Sequence, residues 1–317
     1  MKKTLGTVVT VCAIVALTVL CLVWGRWDIT ESQLATLKIL LIISACSAAY
    51  CFAVGEITKN YSQMDKLWSL LPIAYTWIIA ARGGMRLRPV IFAVIVTLWG
   101  ARLTFNFARK GAYRLKFWQG NEDYRWSIVK SNPVFSHGVL WTLFDLFFIS
   151  IYQNALILAI CLPSLAASES SAPLTAFDAA AAVAAVLFLA LETVADEYQW
   201  KFHQKKKELY GRAPFEEPGL PYSLGFNTTG PWSRMRHPNY LGEQGIWMSL
   251  YFFTLGALGA SHGVFHPTAV GALLLILLFV GSSALGEKIS SGKYPKYKEY
   301  QEKVYKYLPF GKYAPGK

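Results

Sequence analysis

The sequence is poor in charge. Of 317 residues only 16% are Asp, Glu, Lys or Arg, while 54% are hydrophobic; a soluble domain carries about a quarter charged residues. Acids are scarcer than bases, 19 Asp+Glu against 31 Lys+Arg, which leaves a formal net charge of +12. No polar stretch is long enough for an appended soluble domain, and the longest (108–137, 201–243 and 287–317) alternate with apolar runs. This excludes most soluble enzymes and disordered scaffolds. Nucleic-acid-binding domains can be as basic, but they do not set their bases between runs of about twenty apolar residues, so no nucleic-acid partner is expected.

Cysteine is scarce as well. Cys12, Cys21, Cys46, Cys51 and Cys161 are odd in number, lie in apolar stretches and form no C-x-x-C pair. A disulfide framework and a thiolate zinc site are thereby excluded, and buried free thiols are expected. His137, His203, His237, His262 and His266 do not cluster at metal-ligand spacing, so no metal is expected. There is no G-x-G-x-x-G after a strand, no Walker loop and no H-E-x-x-H, which removes the classical dinucleotide folds. Internal repeats are absent.

What the chain has is apolar length. A spanning helix needs about 20 mostly apolar residues. Segments 4–24, 35–55, 67–81, 89–107, 138–163, 177–200, 244–260 and 267–286 answer to that description, the third being short. The expected fold is all-α, a polytopic bundle of seven or eight transmembrane helices with the bilayer as its partner. Residues 1–59 are read as N-terminal transmembrane helices and 60–317 as the functional transmembrane domain. The first run is read as a retained anchor, because no small-residue cleavage site precedes Trp24-Gly25-Arg26. With both termini in the cytoplasm, 26 of the 31 basic residues fall on the cytoplasmic side. Arg26, Lys38, Arg82, Arg86 and Arg88 remain opposite, and a re-entrant third segment would relieve the Arg82–Arg88 conflict.

The polar residues concentrate in four places. The first is Ser233-Arg234-Met235-Arg236-His237-Pro238-Asn239-Tyr240-Leu241-Gly242-Glu243. Pro238 suits the first helical position. Arg236 and His237 then stand where free N–H groups and the helix dipole attract anions. Asn239 and Glu243, four apart, share a face. The same residues also read as a helix cap with interfacial charges, yet a carboxylate at a membrane boundary favours a functional role. The second is Trp99, Arg102, Asn106, Arg109 and Tyr113, one face of the fourth span, followed by Glu122-Asp123-Tyr124-Arg125-Trp126.

The third set ends the sixth span: Glu192, Asp196, Gln199 and His203, with Lys201 and Lys205–Lys207 beside them. The lysines also read as topology anchors, and the tail around Tyr297 and Tyr300 as a headgroup-binding stretch. The fourth is Glu56, Asn60, Tyr61, Ser62, Asp65 and Trp68. Here Asp65 is read either as a general acid or as an N-cap.

Arg236-His-Pro-Asn-Tyr-Leu-Gly-Glu243, two following apolar spans and the ending Tyr307-Leu-Pro-Phe310 resemble the C-terminal domain of steroid 5α-reductases. Sterol C14 and C7 reductases and isoprenylcysteine carboxyl methyltransferases share a related version. Trp99-Gly-x-Arg102-Leu103, Glu122–Trp126 and Asn60…Asp65…Trp68 are similar to a poorly characterised bacterial branch of that superfamily. The resemblance covers roughly residues 60–312.

It implies a multi-pass bacterial inner-membrane enzyme that passes hydride from NADPH to a conjugated C=C bond of a lipophilic, steroid- or polyprenyl-like substrate. Cofactor contacts are expected from Asn239, Glu243, Asp196 and Arg102, with Asn106, Arg109, Glu122, Asp123, Tyr124, Arg125, Lys201, Arg236, His237, Tyr240, Tyr297 and Tyr300 as further candidates. The Gln-Glu pair of the steroid enzymes has no counterpart, and Trp99 stands where they carry a tyrosine. The acid is therefore sought among Asp65, Tyr61 and Glu56. Two other functions fit the same pattern: a methyltransferase using S-adenosylmethionine, and a lipid-binding or transport protein without catalysis.

Overall fold

The computed structural model describes residues 2–211, 219–258 and 264–314. Among them the chain is helical and forms no strand; the one isolated β-bridge pairs Met235 with Tyr305. The helices are α1 (Lys2–Val23), α2 (Glu31–Thr58), α3 (Gln63–Leu67), α4 (Leu71–Arg82), α5 (Leu87–Ala108) and α6 (Tyr124–Lys130). A composite helix follows from Gly138 to Ala166. It consists of α7 (Gly138–Phe144), a π-helical segment (Asp145–Tyr152), α8 (Gln153–Ala159) and α9 (Leu162–Ala166). The long α10 (Ala176–Tyr210), α11 (Pro238–Leu258), α12 (Ala269–Lys293) and α13 (Tyr297–Lys303) complete the order.

Five helices have the length and apolarity to cross a bilayer: α2, α5, the Gly138–Ala166 helix, α10 and α12. The apolar part of α1, Val8–Val23, is shorter. This is a multi-pass membrane protein. Among the described residues every apolar run is helical, but three fall short of a full span in length or apolarity. The run at 67–81 is divided between α3 and α4, because Pro72 opens a new helix and Ser69 turns its hydroxyl to Thr104 at 2.7 Å. The 12 residues of α4 reach only about 18 Å, well under the hydrocarbon thickness. In α11, Glu243 and Gln244 lower an otherwise adequate 21-residue stretch. The end of the expected 244–260 run, the Ser261-His262 loop and Arg212 lie outside the described residues.

The chain packs as two compact units. One comprises Met1–Ile14, Ala182–Ser249 and Ile276–Lys317; the other comprises Val15–Ala181 and Leu250–Leu275. In the second, α2, α4, α5 and the composite helix bury Leu40, Ile79, Phe92, Val96, Ile149 and Leu156. α2 starts on a capping box, Thr30 and Gln33 exchanging side-chain and backbone hydrogen bonds. Gly100 lets α5 close on the α3–α4 junction, since a Cβ there would stand 2.5 Å from the Ser69 carbonyl oxygen.

Two of the arginines that violate the charge rule make contacts inside this unit, and one of them, Arg88, is neutralised there. Arg88, 3% exposed, pairs with Asp178 at 2.8 Å and also donates to the Ala172 and Pro173 carbonyls. Arg82 donates to the Thr36 hydroxyl. A guanidinium neutralised within the protein no longer reports which side of the membrane it faces.

In the first unit, Leu224, Phe226, Tyr297, Tyr300, Val304 and Tyr313 form an aromatic-rich core under α13.

Candidate functional site

Two polar constellations stand out, one in each unit. The first joins the segment after α2 to the loop before α6. Asn60 donates to the Gly120 carbonyl and Gln63 to the Trp118 carbonyl, while Lys66, fully buried, donates to the carbonyls of Phe117 and Gln119 at 2.9 and 2.8 Å. An ammonium so enclosed acts as a clamp, because its N–H groups satisfy carbonyls that have no helix to join.

Onto this frame the structure brings several of the residues read from the sequence. The Tyr61 backbone N–H donates to the Glu122 carboxylate at 2.6 Å, and the Asp123 N–H donates to the Ser62 hydroxyl at 2.8 Å. Asp123 caps α6 and takes Arg125 in a two-point contact, at 2.8 Å from Nε and 2.9 Å from Nη2. Trp126 donates its indole N–H to Asp65 at 2.8 Å.

The electrostatics of this knot divide the carboxyls. Burial, followed by the neighbouring Asp123, raises Asp65 above the ordinary aspartate value, and burial also raises Glu122. Asp123 is lowered: burial opposes ionisation there, but Arg125 outweighs it. Asp65 is thus the member best suited to carry a proton. The phenol of Tyr61 accepts from Lys130 at 3.2 Å, and Lys130 lies over the rings of Tyr61 and Trp141 at 4.8 and 5.2 Å. Glu56 pairs with Lys59 at 2.9 Å and accepts from Thr142. Tyr124, the first residue of α6, is exposed.

On α5 of the same unit Arg109 donates through Nε to the Asn106 amide oxygen at 2.9 Å, and Arg102 is half-buried one turn earlier. Sequence spacing alone did not single out Lys130, which is remote from Tyr61 in the chain.

The second constellation is built on α10 and α11. Gly242 allows the two helices to touch: a Cβ there would meet the Glu192 Cβ at 2.6 Å and the Phe188 carbonyl at 2.9 Å. Glu192 and Glu243 are therefore buried beside the crossing, at 4% and 3% exposure. One turn away Asn239 donates to Asp196 at 3.2 Å, while its own Oδ1 is buried without a hydrogen-bond partner. Glu243 accepts from the Trp247 indole.

The Arg236–His237 end is organised differently from the open anion cradle that the sequence suggests. Arg236 is buried, donates to Glu287 at 2.8 Å and also reaches the carbonyls of Gln301 and Val304. His237 contacts the same Glu287 oxygen at 3.0 Å and stacks on Tyr240. Burial depresses the His237 pKa despite Glu287, which favours a neutral ring. Tyr300 donates to the Trp232 carbonyl and, with Tyr297, belongs to the aromatic core. Lys201 is exposed and pairs loosely with Glu197. Glu287, 51 residues from its arginine, carries no local signal in the sequence. Among the described residues no group of three His, Cys, Asp or Glu side chains is placed to hold a metal.

The chain belongs to the family described as "Protein of unknown function (DUF1295)", which it matches over residues 51–304, a steroid 5α-reductase-like membrane family. It is similar to uncharacterized protein C594.04c of Schizosaccharomyces pombe, 36% identical over 290 residues that cover 85% of this chain and 78% of the relative. No solved structure matches it.

Proposed function

We propose that this protein is an integral-membrane reductase that uses NADPH to saturate a conjugated C=C bond of a lipophilic, steroid- or polyprenyl-like substrate. The observation that carries this reading is the α10–α11 cluster: Asn239 and Glu243 of the resemblance's motif share it with Asp196, and the Asn239 Oδ1 is left without a donor. A buried acceptor of that kind calls for a ligand N–H, and the carboxamide of a nicotinamide supplies both N–H groups and a carbonyl. Asn239, Asp196 and Glu243 would hold that end.

Bound NADPH would supply hydride. The chain's own task is then to fix the amide end, exclude water and provide a proton. Asp65 suits the last role, since burial and Asp123 keep its carboxyl protonated to higher pH than a free aspartate and Trp126 fixes one oxygen. The charge distribution supports cytoplasmic termini, and the resemblance supports a bacterial inner membrane.

A second reading draws on the same acceptors. The ammonium of S-adenosylmethionine is also an N–H donor, and the resemblance extends to membrane methyltransferases. Purified protein in detergent should bind NADPH saturably, with binding lost in Asn239→Ala and Glu243→Ala. Binding of the methyl donor alone would overturn the reductase reading. Normal NADPH affinity without oxidation across enone and polyprenyl panels would indicate a binding or transport protein on this fold.

A further inference from the structure

Asp145 occupies the first position of the π-helical segment, seven residues inside the Gly138–Ala166 helix. That is about 10 Å of helix rise from its start. It is 1% exposed, and neither carboxylate oxygen has a hydrogen-bond partner. Two more buried oxygens along the same helix also lack partners, Ser150 Oγ and Asn154 Oδ1, at 0% and 1% exposure. The other end of the Asn154 amide is turned away, to the Ser150 carbonyl at 2.8 Å and the Cys51 sulfur at 3.8 Å.

The facing helix, α2, presents Gly55. A Cβ there would lie 3.5 Å from Asp145 Oδ2 and 3.6 Å from the Tyr61 ring, ordinary contact distances, so the carboxyl lies directly against the α2 backbone and the Tyr61 ring. The charged and titratable groups around it are Cys51 and Glu56 on α2, Lys59 and Tyr61 after it, and Lys130 on α6. Lys59 is committed to Glu56 and Lys130 to Tyr61, so no cation reaches Asp145 as an ion-pair partner.

An ionised carboxylate buried without donors in a membrane span is among the costliest states a side chain can adopt, and the group takes a proton instead. The carboxylic acid also gains an O–H that the ionised carboxylate lacks, so it can donate to a neighbouring acceptor such as the Ser150 or Asn154 oxygen. We propose that Asp145 is a proton-binding site within the membrane-spanning helices, exchanging its proton with water through Glu56. Glu56 fits the relay by position. It adjoins Gly55, its side chain is 22% exposed, and it accepts from Thr142, three residues before Asp145 on the composite helix. π-Helical turns recur at functional sites; here the wider turn starts at the acid itself. The site is independent of any cofactor and stands whether or not the protein reduces a C=C bond.

A membrane-permeant carbodiimide, which attacks only protonated carboxyls, tests this on the full-length protein in vesicles near neutral pH, with peptide mass spectrometry locating the adduct. Asp145 should be modified in the wild type and in Asn239→Ala alike, unmodified in Asp145→Asn, and unprotected by sodium. Glu56→Gln should leave the adduct but slow hydrogen–deuterium exchange of the acid, followed by the infrared carbonyl band that Asp145→Asn removes. Sodium protection would make the cluster a metal-cation site and overturn the proposal. So would loss of both the adduct and the band in the wild type. As a second arm, Asp145→Asn should melt like the wild type at pH 7, since the amide matches the neutral acid; a markedly altered melting temperature would argue that the wild-type group is ionised.

Discussion

The Arg236 guanidinium and the Glu287 carboxylate meet at 2.8 Å across 51 residues of sequence, joining the entrance of α11 to the final turns of α12. Both side chains are largely buried, at 8% and 11% exposure. Removing one partner leaves the other charge uncompensated, at a cost of about 3–5 kcal/mol for such pairs. Arg236→Gln or Glu287→Gln should therefore lower the melting temperature in detergent strongly. The double replacement Arg236→Met with Glu287→Leu should recover much of the loss. Equal losses in single and double variants would show that the carbonyl contacts of Arg236, rather than the pair, hold this junction.

His237 gives the same junction a pH signature. Burial lowers its pKa below the ordinary 6.5, with Glu287 opposing. In the interval between its folded value and 6.5 the unfolded chain binds the proton and the folded one does not, so stability rises with pH there. The contribution is complete above 6.5 and is lost as the pH falls through that interval. Melting temperatures between pH 5 and pH 8 should show this acid-side slope in the wild type, and a shallower one in His237→Gln. Identical slopes would remove His237 from the account.

Asp65 works in the opposite sense. Its folded pKa is raised above 3.8, first by burial and then by Asp123. The folded state then holds the proton more tightly than the unfolded chain, and stability declines as pH rises from about that value. Asp65→Asn retains an oxygen to accept from Trp126 and carries no charge. It should be at least as stable as the wild type at pH 7, while losing turnover if Asp65 supplies the proton. A variant that is both less stable at pH 7 and fully active would contradict both roles.

The α10–α11 crossing depends on a missing side chain. Gly242→Ala would drive a Cβ to 2.6 Å from the Glu192 Cβ and 2.9 Å from the Phe188 carbonyl. Overpacking of this kind costs about 1–3 kcal/mol, and NADPH binding should weaken with it as Glu192 and Glu243 are forced apart. Gly281→Ala, where nothing lies within 4 Å, is the matched control. It should be neutral or stabilising by up to about 1 kcal/mol. Comparable losses in both would mean that helix flexibility, not close approach, is what the glycines provide.

Local features of the chain were legible in its sequence, and long-range partnerships were not. The apolar runs announced the helices because burial in lipid needs contiguous hydrophobic length, and Pro238 marked the start of α11 because it fits only a first turn. Asn60, Tyr61 and Asp65 could be suspected of meeting Glu122–Trp126 only as two charged clusters; the contacts that join them use backbone N–H groups of Tyr61 and Asp123, which leave no trace in residue identity. Arg236 and His237 resemble an anion cradle in the sequence because Glu287, which engages both, lies about 50 residues away in an apolar helix, 51 from Arg236. Asp145 does leave a signal in the sequence, because a single acid inside an apolar run is expensive wherever it occurs. The π-helical turn that carries it has no residue code.

The backbone around the 236–243 motif is closed by residues 305–313. The N–H groups of Arg236 and His237 donate to the carbonyls of Tyr305 and Lys306, and the Tyr313 N–H donates to the Ser233 carbonyl, each at 3.0 Å. During synthesis the motif therefore enters the membrane region well before the segment that fastens it. A nascent chain that carries α12 but not residue 305 would lack all three of these bonds, so closure of the motif is a step separate from insertion of the helices before it. Ribosome-stalled intermediates could be halted on either side of residue 305 to observe it.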